Sequence, residues 1–138
     1  MPGYYGTPLA QKLGFKPGDR VYLDGAPRHF RGLLDSLPAG VRFVKTPIPP
    51  LAMVHVFTTC ASALVEKLAA YRKLIADRGM IWISWPKKAA KVPTDLTEDV
   101  IRAHALAAGL VDVKVCAVDE VWSGLKLVIR LKDREKKS

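Results

Sequence analysis

Two hydrophobic rhythms divide this chain. Up to about residue 109, apolar residues recur at helical spacing or gather in short unbroken runs; beyond it they alternate with polar ones. Thr7-Pro8-Leu9 opens a short helix, with Thr as cap, Pro at the first helical position and Gly14 just past the end. The turn Lys16-Pro17-Gly18-Asp19 leads into a first strand over 20–23, which Asp24-Gly25-Ala26-Pro27 breaks. Phe30, Leu33, Leu34 and Leu37 predict a helix that Pro38-Ala39-Gly40 ends, and 41–44 reads as a short second strand. Residues 51–58 are an apolar run, which suits a central parallel strand covered on both faces. Leu64, Leu68, Tyr71 and Ile75 mark one face of a helix stopped by Gly79, and 80–85 is a second apolar run. After a polar loop over 86–93, Asp95-Leu96-Thr97-Glu98 resembles a capping box with Asp in the cap, starting a helix that ends at Gly109.

The last segment changes period. Val111, Val113, Val115 and Ala117 alternate with their neighbours, as do Leu125, Leu127, Ile129 and Leu131, so two antiparallel strands turn around 120–124. Helices alternating with parallel strands before a terminal hairpin predict an α/β fold. It is a Rossmann-like, methyltransferase-type open sheet of about six mostly parallel strands, with helices on both faces, in a single domain over 1–138. The stretch 132–138 is a mixed-charge tail expected to fray. One joint strains this reading. Only 45–50 connects the second strand to the third, where parallel neighbours usually need a dozen residues or more. Three of the six are proline, and in polyproline II they would run back along the sheet for ~19 Å. Otherwise the second strand is antiparallel, or not a strand.

Charge adds a direction. The chain carries a formal +9; residues 1–94 hold 14 Lys/Arg against 5 Asp/Glu, while 95–138 hold 8 of each. The excess therefore belongs to the body of the fold, and it favours an anionic small molecule, an acidic protein or a nucleic acid as partner. Hydrophobic residues make up 49% of the chain, which excludes a disordered protein. No apolar stretch reaches the ~20 residues of a membrane span, and 1–14 lacks a signal-peptide core, so the expected location is cytoplasmic, with no membrane partner. Cys60 and Cys116 stand in no metal-ligand spacing.

Three blocks carry a family resemblance: Gly3-Tyr4-Tyr5-Gly6-Thr7-Pro8-Leu9-Ala10, Trp82-Ile83-Ser84-Trp85-Pro86-Lys87-Lys88, and the segment from Leu110 to Lys126. The chain is similar to an uncharacterised bacterial family known only as a domain of unknown function, a resemblance that implies no activity. More remotely, Lys16-Pro17-Gly18-Asp19-Arg20-Val21 resembles the lead-in to the first strand of class I S-adenosylmethionine-dependent methyltransferases. That resemblance implies an acid and a G-x-G-x-G loop after the first strand, and a carboxylate after the second. With Gly25 as the first glycine, Leu23 stands at the acid and Pro27 and His29 at the other two glycines; Lys45-Thr46-Pro47 replaces the carboxylate. S-adenosylmethionine is therefore not expected in its usual pose, and no cofactor is expected.

In such a sheet ligands bind outside the carboxyl ends of the strands, near the switch point. The candidates there are Asp24, Gly25, Thr58, Thr59, Trp85, Lys87, Lys88, Lys91, Asp119 and Trp122. The three lysines could hold a phosphate or carboxylate, or form a solvated loop. Thr58 and Thr59 could donate to a ligand or cap the next helix. Trp82 and Trp85 point to opposite sides of one strand, so one fills the core while Trp85, beside the loop, lines a pocket. Trp122 is a stacking platform or a lid on the hairpin end. His55 reads as a hydrogen-bonded core residue, and His29 and His104 find no partner. No Ser/His/Asp set, Cys–His pair or metal cluster can be assembled from spacing. Three functions stay open: a non-catalytic module binding an anionic small molecule or partner protein at this edge, a divergent methyltransferase, and a nucleic-acid binder supported by charge and by Tyr4, Tyr5 and Trp122 but by no motif.

Overall fold

The computed structural model describes residues 7–134, so the Tyr4-Tyr5 block and the tail from 135 lie outside the described residues. In chain order the elements are α1 (Leu9–Leu13), β1 (Arg20–Asp24), β2 (Arg42–Val44), β3 (Leu51–Phe57), α2 (Ala61–Arg72), β4 (Ile75–Pro86), α3 (Glu98–Ala107), β5 (Leu110–Ala117) and β6 (Trp122–Ile129). They form one six-stranded sheet in the order β2-β1-β3-β4-β6-β5. β1 is parallel to both β2 and β3, β3 is parallel to β4, and β6 runs antiparallel to β4 and β5. The expected α/β open sheet with its terminal hairpin is the fold observed. No described helix is long and apolar enough to cross a membrane.

The strained joint resolves through strand order. β2 and β3 are not neighbours; they flank β1, and the proline-rich stretch 45–50 carries the chain back along the sheet without a helix. Its end is held by Arg20, whose guanidinium donates to the Pro50 carbonyl (3.1 Å).

Alternation along the strands splits the interior in two. Val54, Val56, Ile81, Ile83, Trp85, Leu125 and Leu127 meet Leu64 and Leu68 of α2 and Ile101 and Ala105 of α3. Val21, Met53, Phe57, Met80 and Trp82 meet Ala10 and Leu13 of α1, with Phe15, Phe30 and Leu34 from the connecting segments. Trp82 fixes α1 on this second face, its indole N–H donating to the Leu13 carbonyl (2.9 Å).

Five local expectations need correction. The apolar spacing from Phe30 to Leu37 yields only one 3₁₀ turn, Arg31–Leu33, because Gly32 and the left-handed Ser36 (φ 61°) interrupt it. The spacing instead records Phe30 and Leu34 turning into the core. Ile75 is not on α2, which ends at Arg72, but opens β4 opposite Leu51. Gly79 caps no helix: β3 and β4 slip register between Leu51 and Met53, and a Cβ on Gly79 would lie 2.9 Å from the Leu51 carbonyl oxygen. Thr97, not Asp95, caps α3, its Oγ1 accepting from the Val100 amide (3.2 Å). Finally, the hairpin turn is 118–121, and Trp122 is already the first residue of β6.

Candidate functional site

The chain leaves β1 for β2 on one side and then crosses to β3 on the other, so the switch point lies between the carboxyl ends of β1 and β3. Gly25 stands there at φ 77°, and a Cβ on it would lie 2.8 Å from the Phe57 carbonyl oxygen. Only glycine lets the β1 loop rest directly on the end of β3. The loop then folds over a cleft of about 350 Å³ lined by Leu23, residues 25–28, Phe30 and Arg31. Arg28 and Arg31 are exposed at this cleft, and among the described residues neither pairs with a carboxylate. Arg31 lies over the Phe43 ring, 4.4 Å from its centroid.

His29, expected to lack a partner, bonds Asp119 in the hairpin turn (Nε2···Oδ2, 2.7 Å). Asp119 also accepts the Val121 and Trp122 amides, both at 2.8 Å. Burial works to raise its pKa, but the His29 bond and the two amides outweigh it and hold the carboxyl below its usual range. Trp122 packs edge-on against Phe57 (centroids 5.2 Å apart), and the Lys87 amide donates to the Val121 carbonyl (2.7 Å). The structure thus gathers Gly25, Asp119, Trp122 and the Lys87 backbone along one edge. Trp122 is a lid over the aromatic core rather than a free platform.

The other candidates point elsewhere. Asp24 is turned toward α2, bonded to Lys67 Nζ (2.6 Å) and the Tyr71 hydroxyl (2.5 Å). Burial first, and then Asp24, push the Tyr71 pKa well up. Thr58 bonds the Cys60 amide from its Oγ1 (3.3 Å), and the Thr59 carbonyl accepts from Thr94 Oγ1 (2.6 Å). The α2 N-terminus is held from outside, Asp95 Oδ1 accepting the Ala61 amide (2.8 Å). Trp85 does not line the cleft; it is buried in the α2/α3 core. Lys88 and Lys91 are exposed on a 3₁₀ turn, and among the described residues no ion pair holds Lys87, Lys88 or Lys91. No metal-holding group of His, Cys, Asp and Glu occurs among the described residues.

His55 is a core residue, as its apolar surroundings suggest. Its Nε2 shares a 2.6 Å hydrogen bond with Ser84 Oγ, its ring stacks on Phe57 (4.4 Å), and among the described residues Nδ1 has no partner. Burial lowers its pKa to about 3. Sequence reasoning missed the His29–Asp119 bond and the arginines of the β1 loop. The signal was present, since Pro27 and His29 stand where the methyltransferase pattern calls for glycines, with Arg28 between them, but the pattern speaks of what the loop lacks and not of what its side chains reach.

Comparisons with known proteins bear on the family and the fold. The profile of the family described as "Protein of unknown function (DUF3052)" matches residues 56–131. Among curated proteins none matches the sequence. Among solved structures, a SAM-dependent methyltransferase from Aquifex aeolicus is similar over 87% of this chain and 87% of its own, at 14% identity and TM-score 0.60. The mitomycin 7-O-methyltransferase MmcR is similar over 88% of this chain and 52% of its own, at 9% identity and TM-score 0.64. LepI in complex with SAM is similar at 13% identity and TM-score 0.56; this chain covers 39% of its length. At such identities the likeness shows the fold alone.

Proposed function

The chain belongs to the DUF3052 family of proteins of unknown function, and on that premise we propose that it is a non-catalytic Rossmann-like module that binds an anionic small molecule at the carboxyl edge of its sheet. The observation that carries this reading is the cleft at the end of β1, where Arg28 and Arg31 stand without carboxylate partners among the described residues. Guanidinium groups present paired donors to phosphate or carboxylate oxygens, and the apolar wall of Leu23 and Phe30 would lower the local dielectric around them. Lys87 and Lys88, beyond the hairpin turn, add positive potential along the same edge. An acidic protein could use the same charges.

A divergent methyltransferase is the second reading, favoured by the likeness to proteins solved with SAM. The residues present do not fit that cofactor's usual seat. The β1 loop lies against Phe57 at Gly25, Pro27 and His29 replace the later glycines, and Lys45 follows β2 where a carboxylate belongs.

The test is a thermal-shift and native mass-spectrometric screen of the whole protein against ADP, ATP, S-adenosylmethionine and pyrophosphate. A nucleotide or pyrophosphate should raise the melting temperature, and Arg28→Gln/Arg31→Gln should clearly reduce that rise. A rise equal to that of the wild type in the double variant overturns the reading.

A further inference from the structure

We propose a second anion site, separate from the carboxyl-edge cleft: Lys16, Lys114 and Lys126, gathered where the turn after α1 lies over β5 and β6, together hold a phosphate group. Lys114 and Lys126 stand directly opposite each other in the β5–β6 ladder. Like charges at opposed positions of an antiparallel pair are destabilising. Lys126 also pairs with Trp82 of β4, whose side chain belongs to the α1-side core, so both lysines leave the sheet toward α1.

The end of α1 comes down onto them. A Cβ on Gly14 would lie 3.8 Å from Lys126 Nζ, and Lys114 Nζ donates to the Lys12 carbonyl (2.9 Å) at the close of the helix. Lys16 follows two residues after Gly14. Among the described residues no carboxylate forms an ion pair with any of the three; Asp19, the acid nearest in sequence, accepts the Lys16 backbone amide instead. Lys126 is half-buried, and its pKa is lowered first by that burial and then by the charges of Lys114 and Lys16. The repulsion is therefore felt inside the cluster.

That arrangement selects a ligand class. Ammonium groups act as point charges with rotatable donors, without the planar fork that pairs with a single carboxylate. Lys114 and Lys126 side by side, with Lys16 on the turn above them, suit a tetrahedral dianion, whose terminal oxygens can each accept one charge-assisted bond. The Lys126 ammonium lies close to Gly14, which limits where it can go. A phosphate group, free or as a monoester, has the charge and the oxygens the cluster lacks.

The experiment compares thermal midpoints in inorganic phosphate and in phenyl phosphate against chloride at matched ionic strength. Both should stabilise the wild-type protein if the group is read alone; phenyl phosphate by itself would mark an ester as the ligand and inorganic phosphate by itself the free ion, and each supports the site. Lys126→Met keeps the stem and removes the charge. It should melt no lower than wild type in chloride, because the like-charge contact is gone, and should bind phosphate roughly tenfold or more weakly. Should that variant fail to fold, the exposed Lys16→Met carries the same expected loss. Arg28→Gln/Arg31→Gln should leave the phosphate increment intact, which separates this site from the cleft. The proposal is overturned by an absent phosphate increment in the wild type, by an equal one in the lysine variants, or by single-stranded DNA binding where both phosphates fail.

Discussion

The two faces of the sheet are built by different means. On one, α2 and α3 lay regular helical faces of Leu64, Leu68, Ile101 and Ala105 over aliphatic strand residues. Arg102 ties that face at its rim, bonding Asp112 of β5 (3.0 Å) and also Glu98 and Asp99 of its own helix. On the other, one short helix and an irregular segment between β1 and β2 cover an aromatic core of Phe15, Phe30, Phe57 and Trp82, with the His55–Ser84 pair inside it. The first face is a scaffold, while the second collects the cleft, its two arginines and the lysine cluster. The difference teaches where to look for function: backbone freed from helices can wrap around a ligand, and charges there need not be matched internally.

The sharpest way to break that contrast is to cut each core once. Trp82→Ala removes a fully buried ring and the bond that fixes α1, and should cost about 3–5 kcal/mol. Ile101→Ala should cost about 2–5 kcal/mol through the cavity beneath α3. Hydrogen exchange should then quicken around α1 and 25–41 in the first variant and around α3 in the second. Equal loosening of both faces in both variants would show that they are not separate units.

Acid should distinguish the faces next, because His55 lies only in the aromatic one. Unfolded, this imidazole takes up a proton near pH 6.5; folded, not until about 3. Its neutral form thus contributes stability that is fully present above 6.5 and is lost as pH falls toward 3, by roughly tenfold in the folding constant per pH unit. Denaturant titrations across that window should show a flatter dependence for His55→Phe/Ser84→Ala. A slope unchanged by that double substitution would place the acid sensitivity elsewhere.

Gly25→Ala should have a smaller but definite effect. The left-handed backbone and the approach to the Phe57 carbonyl should together cost roughly 1–3 kcal/mol. Chemical denaturation gives the number, and a neutral result would mean that the β1 loop can lift from the end of β3.

These expectations also mark what was legible in the sequence. The strands were, because 53–57 and 80–85 are apolar on both faces and only central strands bury both. The hairpin was legible from its period, although its turn, 118–121, lies earlier than the 120–124 that the alternation suggests. The segment between β1 and β2 was not, since Phe30 and Leu34 bury at helical spacing without a helix, and periodicity records burial rather than backbone conformation. Gly79 misled for the same kind of reason: a glycine demanded by a close approach between strands looks, in sequence, like one that ends a helix. Of the candidate site, the edge was readable from topology. Its contents were not, because His29 and Asp119 lie 90 residues apart and meet only in three dimensions.

The smallest expected effect belongs to the lysines of that edge, Lys88 exposed and Lys87 partly buried. Changing Lys87 and Lys88 together to alanine should move stability by no more than about 0.5 kcal/mol, while weakening any anion bound at the edge. A large loss of stability would make them structural and remove them from the site.

The most direct measurement is a calorimetric titration of S-adenosylmethionine into the wild-type protein. The central claim is that a methyltransferase-like fold whose β1 loop rests on Phe57 at Gly25, and carries Pro27 and His29 in place of the later glycines, does not hold this cofactor in its usual pose. It predicts no heat beyond dilution at micromolar concentrations. Saturable micromolar binding that Gly25→Ala abolishes would contradict it.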